Sequence, residues 1–283
     1  MEVQKERLLM LVKAYPEPSK KYGETVCTGA IRLRDMTWIR LYPYPFRVSP
    51  RQYQFKKWDV VELPIVRNTS DPRPDSYRPY DLAQYTFIEH IDTGNQYWDA
   101  RMPYIRKTAV GSVEAMLNNA LRDDGTWGPS LLPVPVLNEG VSLSWERRGK
   151  WTPEQEAKLE KARQLAEGRL FDPVKYRKLK PRPYLFRLTF RDLTGKEYRY
   201  PILDWEIYQL YFNVRQHVAS DAEALEKVRY KIEEQIFSAE REVYIVLGSI
   251  HQKYRKRSLF AVDGFIWPRR REIQPLFDLG SNA

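Results

Sequence analysis

The chain has 283 residues, of which 47 are Lys or Arg and 37 are Asp or Glu, so its formal charge is +10 and its pI is about 9.5. A hydrophobic content of 42% with 13% aromatic residues excludes an intrinsically disordered chain, which lacks the apolar surface that offsets the entropy of folding. No run of about 18 apolar residues is present, and the charges at positions 2–7 do not suit a signal peptide. We therefore expect a folded cytoplasmic protein that crosses no membrane.

The chain has one cysteine and three histidines, which limits the kinds of disulfide, metal and catalytic site that it can form. Cys27 is the only cysteine, which excludes an intramolecular disulfide and every multi-cysteine zinc site. The three histidines stand far apart, and no GxGxxG, GxxxxGK[ST] or GxSxG motif occurs. We predict no cofactor and no metal, although these absences do not exclude an enzyme with a carboxylate site for magnesium.

The first part of the chain is typical of a β-rich domain. Short apolar runs and alternating patterns predict strands over residues 7–13, 24–32, 37–42, 58–66 and 85–91. In the strand at 37–42, Ile39 and Leu41 occupy one side and are expected to point into a core, because strand side chains alternate with a period of two. The segment 67–79 is interpreted as a loop because prolines interrupt it.

The rest of the chain mixes helices with strands. Helical spacing is expected over residues 95–121, and two prolines confine the extended segment at 131–143 to an edge or a loop. Thr152 and Gln155 form a capping-box pattern at the start of the clearest helix. Further elements are predicted as helices at 153–167, 204–217 and 221–237 and strands at 184–191, 196–200, 243–250 and 259–267.

These patterns predict an α+β fold with three regions. They are a β-rich barrel-like domain at 1–94, a mostly helical connecting region at 95–168 and a basic α+β domain at 169–283.

Basic and aromatic residues interleave in two segments. Eight basic residues and one acid lie between positions 169 and 191, and seven basic residues and one acid lie between 251 and 271. Lys and Arg neutralise phosphates, and aromatic rings stack on unpaired bases, so the pattern favours a nucleic-acid surface over a solvated loop that keeps the protein soluble. The residues predicted to contact nucleic acid here are Lys175, Tyr176, Arg177, Lys178, Lys180, Arg182, Arg255, Lys256 and Arg257.

The aromatic segment WIRLYPYPFR is a second candidate surface. If Trp38, Arg40 and Tyr42 share an exposed sheet face, they form a platform that can stack a base and hold a phosphate. The alternative is that another element covers this face. Tyr44 and Arg47 stand beside prolines that keep the segment irregular, and we expect them to reach a ligand.

Carboxylates supply a third set of candidates. Asp71 and Asp75 lie four residues apart beside two arginines and could hold a divalent metal or act as acid and base. The alternative interpretation is that they brace a proline-rich loop through hydrogen bonds and ion pairs. Together with Glu24 they are the candidate catalytic residues if the protein is an enzyme. Cys27, in a strand, is interpreted as a small buried residue rather than a nucleophile.

Four segments resemble a family of uncharacterised prokaryotic proteins, namely ETVCTG at 24–29, WIRLYPYPFR at 38–47, and the runs at 71–79 and 204–206. This resemblance implies no activity and assigns no role to any residue. The early β-rich segment is similar in pattern to small nucleic-acid-binding barrels of the PUA-like and OB folds. That similarity implies a barrel, and a fold alone does not establish a function.

The leading hypothesis is a cytoplasmic nucleic-acid-binding protein. A pocket for an extruded or modified base would explain the use of aromatic residues. One alternative is a metal-dependent nuclease or another nucleic-acid-processing hydrolase that uses Asp71, Asp75 or Glu24. The other is a protein-interaction module that binds an acidic partner, which differs in its salt dependence because polyanion binding follows counterion release.

Overall fold

The computed structural model describes residues 2–120, 128–168, 175–250 and 260–271. The strands are β1 (Val3–Lys13), β2 (Glu17–Ser19), β3 (Gly23–Arg32), β4 (Thr37–Tyr44), β5 (Asp59–Arg67), β6 (Ser76–Pro79), β7 (Thr86–His90), β8 (Leu131–Val136), β9 (Ser142–Arg147), β10 (Tyr184–Arg191), β11 (Glu197–Pro201), β12 (Val243–Ser249) and β13 (Phe260–Ile266). The α-helices are α1 (Met102–Thr108), α2 (Val113–Ala120), α3 (Pro153–Glu167), α4 (Trp205–Arg215) and α5 (Asp221–Tyr230). Short 3-10 turns lie at Arg51–Tyr53 and Leu82–Gln84, and a π-helical segment at Lys231–Ile236 continues α5.

Five strands of the N-terminal part close into a barrel. They follow the order β1-β3-β4-β6-β5, and β5 returns to pair with β1, so that Leu9 lies opposite both Ile31 of β3 and Val60 of β5. Strands β2 and β7 extend this sheet outside the ring by pairing with β3 and β5. The predicted α+β fold with a barrel-like N-terminal part is therefore confirmed.

The apolar run at residues 8–12, in the second half of β1, contributes to two cores. Leu8 and Met10 face the barrel interior, which they share with Ile39 and Leu41 of β4, as the alternation in that strand predicts. Leu9 faces outwards into a larger apolar cluster that the C-terminal elements complete. A strand buried on both faces has no polar side, which is why this run shows no alternation.

The C-terminal part contains two three-stranded sheets and the longer helices. One sheet has the order β11-β10-β9 and the other β13-β12-β8. Strand β8 lies at an edge, as Pro133 and Pro135 require, because proline cannot donate to a central ladder. Every residue of β12 and β13 is buried. The predicted hairpin is β10 and β11, and the capping box of α3 forms at Thr152 and Gln155.

One local prediction is wrong, and a second is confirmed only in part. The segment read as a loop at 67–79 contains β6, which pairs in parallel with β4 and antiparallel with β5. The region read as helical at 95–121 holds two short helices, α1 and α2, separated by a break at 109–112. Strand β6 exists through long-range pairing, which a local pattern of prolines does not reveal.

Within the described ranges, no helix is both long and apolar enough to cross a membrane.

Candidate nucleic-acid interface

A cleft of about 470 Å³ opens beside helix α4, and we call it the basic cleft. Loops that follow β1 and β4 form one part of it, the segment 177–180 forms another, and α4 forms the rest. Its lining residues are Tyr15, Arg47, Arg177, Lys178, Leu179, Lys180, Trp205, Gln209, Phe212, Asn213 and Gln216.

Helix α4 presents one face to the basic cleft. Asp204 caps the helix by accepting a hydrogen bond from the backbone N–H of Glu206 at 2.8 Å, which fixes where the first turn begins. Trp205, Gln209 and Phe212 then follow at spacings of four and three residues, so they lie on the same side of the helix. Asn213 and Gln216 continue this face.

Two hydrogen-bond donors from other parts of the chain hold the segment 177–180 in place. The Tyr15 hydroxyl donates to the carbonyl of Lys180 at 2.7 Å, and the indole N–H of Trp151 donates to the carbonyl of Leu179 at 3.1 Å. Leu179 itself is buried, with 4% of its surface exposed. Because its neighbours are exposed, this anchoring turns their cationic side chains towards solvent and the cleft.

Glu24, Arg47 and Tyr176 form one network at the edge of the cleft. The Arg47 guanidinium donates to Glu24 at 2.9 Å, and the Tyr176 hydroxyl donates to the same carboxylate at 2.7 Å. Arg47 also donates to the carbonyl of Arg177 and lies 5.6 Å from the centre of the Tyr176 ring. Burial raises the pKa of Glu24, and the charge of Arg47 opposes this effect. Glu24 therefore acts here as an anchor for two candidate binding residues.

The basic side chains in and near the basic cleft differ in whether they already form an ion pair with a carboxylate. Lys178 pairs with Glu156 at 2.6 Å, and Arg182 pairs with Glu17. The ammonium of Lys180 lies 5.3 Å from the centre of the Phe212 ring. Within the described ranges, no carboxylate forms an ion pair with Lys180 or with the exposed residues Lys175 and Arg177, so these three charges are free to meet an anion.

Another element covers the face of β4 that carries Trp38 and Arg40, as the alternative interpretation expects, so these residues form no exposed platform. Trp38 and Arg40 are each 2% exposed, because α1 and the start of β8 cover this face of the barrel. The Trp38 indole donates to Thr108 at 2.8 Å, and the Arg40 guanidinium donates to the Ser130 carbonyl at 2.6 Å. Tyr42 alone keeps appreciable exposure, at 37%.

Tyr44 does not reach a ligand-accessible surface either. Its ring is fully buried inside the barrel, and its hydroxyl donates to the carbonyl of Tyr53 at 2.9 Å. Burial raises the pKa of this phenol. The cause is the closed barrel, which turns inwards a side chain that an open sheet would have left accessible.

The two candidate aspartates belong to a buried ionic cluster. Asp71 accepts from Arg73 at 2.6 Å, and this hydrogen bonding lowers the pKa of the Asp71 carboxyl to about 2 despite the opposing effect of burial. Asp75 accepts from the backbone N–H of Ser130 at 2.9 Å and lies 3.7 Å from Nε of Arg40. These contacts match the alternative interpretation, in which the aspartates brace the proline-rich segment. Within the described ranges, no three His, Cys, Asp or Glu side chains are grouped to hold a metal.

Three predicted contacts, Arg255, Lys256 and Arg257, lie outside the described residues. The sequence analysis also did not predict that Tyr15 and residues of α4 line the basic cleft. The helical spacing of Trp205, Gln209 and Phe212 is visible in the sequence, but its meaning depends on the distant segment that faces it.

Two family models match the chain, and both describe domains of unknown function. DUF8758 matches residues 4–107, which include the barrel, and DUF8757 matches residues 115–281. No curated protein matches the chain. The predicted membership of a family without a known activity is thus confirmed. Because the second match spans more than half of the sequence, the protein belongs to the DUF8757 family.

Proposed function

We propose that the protein binds nucleic acid in the basic cleft, and that it does so in the cytoplasm. The observation that carries the proposal is the composition of the cleft, where four cations lie beside aromatic rings and amide side chains. Cations neutralise phosphates, and aromatic faces stack on unpaired bases. Such a lining suits a single strand or an unpaired segment better than a uniform duplex.

The free cations define where the phosphates would lie. Arg177 and Lys180 need to give up no ion pair with a described carboxylate in order to contact a phosphate. Gln209, Asn213 and Gln216 are exposed on the facing helix and carry both donors and acceptors. This arrangement supports a phosphate track on one wall and contacts to base edges on the other.

The finer fold assignment is part of the same proposal. The five-stranded closed barrel is compatible with a PUA-like or OB-like module. A module of that kind would place an extruded or modified base against the protein while the basic cleft holds the flanking backbone.

The test measures binding of labelled single-stranded and duplex DNA and RNA across a salt series. We expect affinity to fall steeply with salt, and Arg177→Glu and Lys180→Glu to reduce the slope of log K against log salt by about one for each lost phosphate contact. Lys107→Glu is the matched control, because Lys107 is exposed on α1 and does not line the cleft.

The other functional classes give different results in the same experiment. Strand cleavage that requires magnesium would move the function to a nuclease and to the carboxylates Asp71, Asp75 and Glu24. Absence of binding to every nucleic acid at low salt would overturn the proposal and direct the search to an acidic protein partner.

A further inference from the structure

A second cavity, of about 180 Å³, lies where the barrel meets the C-terminal part. We call it the Asp263 cavity. Strands β3 and β4 contribute one wall, and β12 and β13 contribute the other. Its lining residues are Ala14, Cys27, Arg40, Tyr42, Arg73, Leu203, Gly248, Ser249, Ile250 and Asp263.

A hydrogen-bond donor and an acceptor face each other in this cavity without satisfying each other. Nη1 of Arg40 lies 3.8 Å from Oδ2 of Asp263, which is longer than a good hydrogen bond. The same nitrogen donates a weak hydrogen bond to Sγ of Cys27 at 3.9 Å. Asp263 is 7% exposed, and within the described ranges its carboxylate accepts no hydrogen bond. A buried acceptor left in this state is costly unless a ligand or water completes its hydrogen bonds.

The surroundings hold these two groups in place. The remaining nitrogens of Arg40 donate to the carbonyl and hydroxyl of Ser130 at 2.6 and 3.4 Å. A Cβ atom on Gly248 would lie 2.0 Å from Oδ2 of Asp263, so only a glycine lets the carboxylate approach the backbone of β12. Arg73 is fixed by Asp71 and donates to the carbonyl of Ser249 at 2.8 Å. The site is therefore built before any ligand arrives.

The size of the cavity limits what can occupy it. A cavity of about 150 Å³ in a protein interior holds a benzene ring. At about 180 Å³, the Asp263 cavity accommodates one six-membered ring with small substituents but not a fused purine together with its sugar. Tyr42 supplies an aromatic face and is partly exposed, which suits a ring that enters from solvent.

We propose that the Asp263 cavity binds a single pyrimidine base. Asp263 accepts a hydrogen bond from an N–H of the base, Nη1 of Arg40 donates to a neighbouring acceptor on the same edge, and Tyr42 packs on the ring. Both cytosine and uracil or thymine present adjacent donors and acceptors on one edge. The proposal rests on the proposed nucleic-acid function, for which the cavity would receive a base extruded from the bound strand.

The experiment titrates the full-length protein with cytidine, thymidine and adenosine. We expect either pyrimidine nucleoside to bind at least about tenfold more tightly than adenosine, and Asp263→Asn to weaken that binding by about tenfold. Tyr42→Ala is a second variant that removes a partly exposed ring and so leaves folding intact, and it should weaken binding by a similar factor. Lys107→Glu is the control and should change nothing, because Lys107 is exposed on α1 and does not line the cavity.

Alkylation of Cys27 by iodoacetamide locates the bound nucleoside. Cys27 is the only thiol of the chain and lines the cavity, so modification followed by intact mass reports on this place alone. A saturating pyrimidine nucleoside should slow the reaction at least about fivefold, and adenosine should not. No binding of any nucleoside, equal binding of all three, or binding without protection of Cys27 would each overturn the proposal.

The two proposals fail separately. Nucleosides carry no phosphate, so they do not report on the basic cleft, and loss of their binding leaves the oligonucleotide result standing.

Discussion

Asp204 has two roles that conflict at high pH. Its carboxylate caps α4 by accepting from the N–H of Glu206, yet the side chain is only 3% exposed. Burial, followed by the nearby charge of Glu206, raises the pKa of Asp204 to about 8. An unfolded aspartate titrates near about 3.9. The stability that the protonated form contributes is therefore fully present below about pH 4 and is lost as the pH rises through 8.

Asp204→Asn should remove this loss. Asparagine is neutral at every pH and is also a good helix cap, so the cap survives while the buried charge disappears. Urea unfolding at pH 5, 7 and 9 should show the variant gaining stability over the wild type with rising pH, by on the order of a few kcal/mol at pH 9.

A fixed difference between the two proteins across this range would contradict the raised pKa. Glu146→Gln on β9 is the control, since the Glu146 side chain is 70% exposed and its loss should leave the pH profile unchanged. Asp263, whose pKa burial raises to about 6, is present in all three proteins and cancels in the comparison.

At the scale of elements, α3 packs against β3 with backbone nearly touching backbone. Gly23 has a φ of +76°, and a Cβ atom there would lie 2.3 Å from Cα of Ala162. Ala162 and Ala166 are both fully buried in this contact. The apolar side of α3 that faces β3 is therefore a close-packed seam made of small side chains.

Ala162→Leu should force α3 away from β3. Overpacking a close contact costs about 1–3 kcal/mol, because neither backbone can move without disturbing its own hydrogen bonds. Chemical unfolding measures the change, with Ala157→Leu on the exposed side of the same helix as the control at less than about 0.5 kcal/mol. Equal effects of the two substitutions would show that the seam is not tightly packed.

The sequence predicted elements better than it predicted their surroundings. Ile39 and Leu41 were placed correctly because alternation within one strand is a local property. The burial of Trp38 and Arg40 depends on contacts with α1 and Ser130, which lie roughly 70 to 90 positions further along the chain. Only one part of the basic cleft could be predicted, for the same reason. Its cations are clustered in the sequence, whereas the residues of α4 come next to them only in the folded molecule.

At the scale of the whole molecule, ionic contacts join the barrel to the C-terminal part. Arg40 and Arg73 come from the barrel, and Ser130, Ser249 and Asp263 come from the elements that pack on it. Buried arginines in such positions leave uncompensated charges when one partner is removed. The junction therefore couples the stability of the two parts.

Arg40→Met should destabilise the protein by about 3–5 kcal/mol, because Asp75 and Asp263 would lose a buried cation. Circular dichroism and tryptophan fluorescence should follow one shared urea transition at a lower midpoint. Arg163→Met is the matched control: its ion pairs with Glu160 and Glu167 are half exposed, so it should cost less than about 1 kcal/mol. Equal costs would mean that the junction carries no special stability.

The ionic junction also matters for the order in which the chain is made. A ribosome releases the barrel strands before the segments that supply Ser249 and Asp263. Until those segments emerge, Arg40 and Arg73 have only Asp75 and Asp71 as charged partners. Water can hydrate these ion pairs on the part that is made first. An apolar junction of the same area would instead stay exposed as a patch that favours association with other chains.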